Sequence, residues 1–126
     1  MAAYLEKQAE FVKRLHGRTL DGDLNWYKTE SDGVFQFQFP DYLVQVYQRW
    51  ADDNEDTVYT YISIFNKEGG LIDTFNDTAL SESESMGADS TFFMVDLYEN
   101  ARRIAMGMEQ ALDNLIYILD QEVIPD

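Results

Sequence analysis

Nucleophilic catalysis needs a hydroxyl or thiol beside a base, and imidazole is the usual base. The 126-residue chain has one histidine, His16, and no cysteine. No serine sits between the flanking glycines of a nucleophile elbow. His16 falls in the last turn of a predicted helix, where a cation complements the negative end of the macrodipole, and that is its expected role. Lys67-Glu68-Gly69-Gly70 lacks the following Lys-Ser/Thr pair and the helix that a phosphate-cradling loop must open. Without cysteine there is neither a disulfide nor a thiolate metal site.

Carboxylates are the other candidates for chemistry. Asp52-Asp53-Asn54-Glu55-Asp56 is the densest cluster. It has neither the alternating ligand spacing nor the central glycine and distal glutamate of a calcium loop, so it is expected to be a solvated hairpin loop. Asp21 and Asp23 carry still less signal. General acid and base work also requires pKa values raised by burial, and these stretches read as exposed. A small enzyme or divalent-metal binder using carboxylates is therefore a secondary reading. The primary expectation is no catalytic residue, no metal ligand, no cofactor and no small-molecule substrate.

Binding chemistry has better support. Between residues 34 and 65 the apolar pattern has period two, which puts Phe35, Phe37, Phe39, Val44 and Val46 on one sheet face. The same alternation puts Gln36, Gln45, Tyr47, Arg49, Tyr59 and Tyr61 on the other, with Gln38 beside them. Tyrosine and arginine are enriched at interface hot spots, so this second face is the expected protein-binding surface. Cross-strand pairing alone would also place tyrosines there.

Charge narrows the partner. Twenty-four acids against nine bases give a net charge of -15. Residues 1–28 are nearly balanced; the remainder has only Arg49, Lys67, Arg102 and Arg103 as bases, and none follows Arg103. Such a field repels phosphate backbones and anionic lipid, which argues against direct nucleic-acid or membrane binding. It favours a protein partner or a second copy of the chain. The alternative is a nucleic-acid mimic that occupies the site of a DNA- or RNA-binding enzyme, with carboxylates in place of phosphates. Arg102 and Arg103 are expected to neutralise acids within the fold, or else to anchor an acidic partner.

The elements that must position these residues follow from period and punctuation. Spacings of three and four predict an amphipathic helix over 2–16, ended by Gly17. Strands are predicted over 24–29, 34–39, 42–50, 57–65 and 71–75. Their connections are too short for parallel crossovers, so the sheet is an antiparallel meander of four or five strands. The Ser-rich, acidic stretch 76–91 reads as a flexible loop. A long helix over 92–119 follows, its stripe running through Phe93, Leu97, Ala101, Ile104, Met108, Leu112, Leu115 and Leu119. Gly107 lies inside it as a close contact or slight bend, Glu99 can pair with Arg103, and Pro125 stands beyond its end.

Leu24-Asn25-Trp26, Leu97-Tyr98-Glu99-Asn100-Ala101-Arg102-Arg103, Gly107 and Leu112-Asp113 resemble elements of a group of small acidic uncharacterised bacterial proteins. The resemblance covers nearly the whole chain. It implies a bacterial or phage origin and a helix, β-meander and closing helix, and it implies no activity.

The expected architecture is α+β in one domain, with the long C-terminal helix packed on one sheet face. Residues 1–20 contain no continuous apolar run, and with the lack of cysteine this points to a cytoplasmic protein. Its expected function is non-catalytic protein binding or self-association.

Overall fold

A computed structural model describes residues 2–51 and 54–121. The fold is α+β. Helix α1 (Ala2–Leu20) precedes a five-stranded antiparallel sheet of β1 (Tyr27–Lys28), β2 (Phe35–Gln38), β3 (Tyr42–Ala51), β4 (Asn54–Asn66) and β5 (Leu71–Asn76). A helical turn, α2 (Asp77–Leu80), leads into α3 (Ser90–Ala105) and α4 (Met108–Leu119). The strands lie side by side in chain order, as a meander requires.

Period two sets the register. Val44 pairs with Phe37 and Ile64, and Val46 with Phe35 and Ile62. These side chains form the core with Val12 and Leu15 of α1 and Met94, Leu97 and Ala101 of α3. Both long helices therefore cover one sheet face and leave the other without a helix.

Several boundaries differ from expectation. Helix α1 continues through Gly17 to Leu20. Its end is a Schellman motif: the amide of Asp23 donates to the carbonyl of Arg18, and that of Gly22 to Thr19. Gly22 holds the required left-handed conformation at φ 77°. His16 is consequently inside the helix and not in its last turn. The first strand shrinks to Tyr27–Lys28, because Leu24 and Trp26 are buried in irregular chain, with the Trp26 indole donating to Thr19 Oγ1 at 3.0 Å. Strand β4 begins at Asn54, three residues earlier than expected. Asp52 and Asp53 of the acidic cluster lie outside the described residues, as does Pro125.

The stretch 76–91 is folded into the body. Asn76 caps α2 by accepting from the amide of Ala79 at 2.9 Å, and Leu80 and Met86 enter the core. The Glu6 carboxylate of α1 accepts from the amides of Glu84 at 2.7 Å and Ser85 at 3.1 Å, while Lys13 donates to the Ser85 carbonyl at 2.6 Å. The Ser85 hydroxyl and then the Glu84 amide hold the Glu6 carboxyl below its ordinary pKa.

Asp77 is buried at the start of α2. Desolvation raises its pKa, opposed by hydrogen bonds from the amides of Thr60 and Thr78. A carboxyl that is easier to protonate in the folded than in the unfolded state adds stability on acidification, and loses it as pH rises through the raised value. Wild-type stability relative to Asp77→Asn should thus increase as pH falls from about 7 to about 4. Denaturant unfolding at several pH values measures this, and a flat difference would refute the burial argument.

The largest departure is at the C-terminus. The expected single helix breaks at Gly107, which takes φ 68° and is the N-cap of α4. The first half of the stripe, Leu97 and Ala101, is buried under the sheet. The second half, Met108, Leu112, Leu115 and Leu119, faces solvent.

Candidate functional site

The helix-free face of the sheet brings together Gln36, Gln45, Tyr47, Arg49, Tyr59 and Tyr61. Cross-strand register does this: Gln36 opposes Gln45, Tyr47 opposes Tyr61, and Arg49 opposes Tyr59. None of the three tyrosines belongs to the core cluster.

The Tyr47 and Tyr61 rings stack in parallel, 5.5 Å between centroids and 5° between planes. The Arg49 guanidinium lies 4.6 Å from the Tyr47 centroid, a cation–π contact, and Nη1 donates to the Gln48 carbonyl. Beside this stack the Tyr47 hydroxyl meets Ser63 Oγ at 2.8 Å, and Ser63 Oγ meets Thr74 Oγ1 at 3.0 Å. Gln45 Nε2 donates to Gln36 Oε1 at 3.0 Å. Gln36, Gln45, Tyr47, Arg49 and Ser63 line the floor of an open hollow of about 990 Å³, walled by Lys28–Ser31 on one side and Leu71 and Thr74 on the other, and Tyr61 stacks on Tyr47 beside it. Lys28, Glu30 and Arg49 are its charged groups, so this hollow is locally near neutral inside a strongly acidic protein.

Such an arrangement can stack on planar groups and exchange amide and hydroxyl hydrogen bonds. It contains no imidazole and no carboxylate pair to move a proton. Among the described residues no group of three His, Cys, Asp or Glu is placed to hold a metal ion, and no helix is long and apolar enough to cross a membrane.

His16 does something the sequence does not suggest. Its ring is buried, and Nε2 lies 2.7 Å from Asp96 Oδ2 of α3. Phe92 and Phe93 approach the ring edge-on. The pair resembles the base half of a nucleophilic dyad, but no hydroxyl among the described residues bonds the imidazole. Its place is between the two long helices, and eighty residues separate the partners, so local spacing could not reveal it.

Arg102 and Arg103 are exposed, and neither enters an ion pair among the described residues. Among the described residues the expected Glu99–Arg103 pair does not form, and both guanidiniums lie exposed at the end of α3. Trp50, which period two puts on the same side as Val44 and Val46, is 63% exposed near the turn of the β3–β4 hairpin. Compared with protein-family models, with curated proteins and with solved structures, the chain matches none.

Proposed function

We propose that this protein is a non-catalytic binding protein that recognises a protein partner through the helix-free face of its sheet. The stacked Tyr47–Tyr61 pair with Arg49 against it carries this reading. Two rings and a guanidinium already fixed in place lose little side-chain entropy on binding, which is what makes Tyr and Arg effective anchors. The near-neutral floor supplies contact area, and the acidic remainder of the surface steers basic partners toward it.

Replacing Tyr47→Ser, Tyr59→Ser and Tyr61→Ser together tests the reading. Wild-type and triple-variant protein are immobilised, captured proteins are quantified, and the dissociation constant of each is measured. Loss of the two stacked rings together with Tyr59 should weaken a genuine partner by about 30-fold or more. The complex should tolerate salt, because ring stacking is not screened; a mimic held by carboxylates alone would release steeply as salt rises. Partners bound equally by the two proteins would retire the sheet face.

A further inference from the structure

Helix α4 has no buried residue. Met108, Leu112, Leu115, Ile116 and Leu119 form one continuous apolar face, 42% to 70% exposed, while Glu109, Gln110, Asp113 and Asn114 form the opposite face. It departs from α3 through the left-handed Gly107 and packs chiefly against the end of α3. A twelve-residue helix in water is marginal by itself, and nothing within the described chain covers this one.

We infer that α4 is a homodimerisation helix, its apolar face covered by α4 of a second copy in antiparallel orientation. Size is one argument. The five apolar side chains expose on the order of 600 Å², most of the ~800 Å² each partner contributes to a stable interface. Charge is the other, and it selects the occupant. The root of α4 carries Arg102 and Arg103, which have no ion pair among the described residues, while α4 and its C-cap carry Glu109, Asp113 and Asp120 and no base. A basic partner would leave the guanidiniums unmatched, and an acidic partner would meet the carboxylates. A second copy laid antiparallel supplies both: its C-cap Asp120 is brought toward the guanidiniums at the first root, and the reverse. The two helix dipoles also oppose each other in that orientation. The two-fold axis passes between Leu112 and Leu115, so Leu112 of one copy packs on Leu115 of the other, and the contact closes on itself.

This surface is independent of the tyrosine face, and the variants separate the two. Sedimentation or light scattering of the full chain at tens of micromolar should give twice the 14.6 kDa chain mass. Leu112→Lys with Leu115→Lys should raise the dimer dissociation constant at least 100-fold and yield monomer. Because neither side chain is buried within the chain, the variant should keep its far-ultraviolet circular dichroism outside α4. Arg102→Glu with Arg103→Glu should weaken the dimer tenfold or more, and the triple tyrosine variant should leave the mass unchanged. A monomeric wild type would overturn the proposal and leave α4 to a different partner. A dimer that survives the lysine pair, or that the tyrosine variant alone dissolves, would overturn it by moving the interface elsewhere. An unchanged constant for the arginine variant would overturn the charge pairing that selects a second copy.

Discussion

Leu80→Ala should lower the unfolding free energy by about 3 kcal/mol, within the range for emptying a fully buried leucine site, and the melting temperature by roughly 10 °C. The expectation matters because Leu80 sits in a stretch whose composition is that of a mobile loop. It is nevertheless completely excluded from solvent. The turn that presents it is fixed at both ends: Asn76 caps α2, and the Glu6 carboxylate of α1 holds the amides of Glu84 and Ser85. The cavity left by alanine could not collapse without dragging that whole connection. Glu82→Ala in the same stretch is exposed and should change stability by less than about 0.5 kcal/mol. Equal, small effects at both positions in chemical denaturation would show that 76–91 is peripheral after all.

His16→Ala should cost about 2–3 kcal/mol, from the lost packing of a buried ring and the lost bond to Asp96. The ring is lodged between α1 and α3, with Phe92 and Phe93 against its edge. The Asp96 side chain retains partial access to water, so the carboxylate can rehydrate when its partner is removed. Asp96→Ala should therefore cost less than His16→Ala, and a double-mutant cycle should give a coupling of about 1 kcal/mol. Additive single effects would mean that the contact is incidental and the histidine acts by volume alone. Neither substitution touches the tyrosine face, so binding by a partner should persist wherever the variants remain folded.

The strands and the composition of the tyrosine face were legible because period two is local: once Phe35, Phe37 and Phe39 are assigned inward, Tyr47 and Tyr61 must point outward. The four strand-to-strand connections are short enough to dictate pairing, so Tyr47 opposite Tyr61 needs no tertiary information beyond the meander. Three features were not legible for the same reason in reverse. Leu80 and Met86 are too few and too far apart to raise a periodic signal among serines and acids. The His16–Asp96 contact closes a loop of eighty residues. At Gly107 the apolar stripe continues unbroken in sequence while the backbone turns away, so a pattern read along the chain cannot tell a covered helix from an uncovered one. The glycine itself was the available sign, since its cost inside a helix needs a reason.

That same glycine separates two thermodynamic units. In the isolated chain, melting α4 would hydrate almost no new apolar surface, so it should add little to the heat-capacity change or to the denaturant slope of unfolding. The calorimetric transition of the single chain then belongs to the part up to Ala105, whereas in the dimer α4 gives up a covered face as it melts, so it is the loss of α4 that should move to higher temperature with protein concentration.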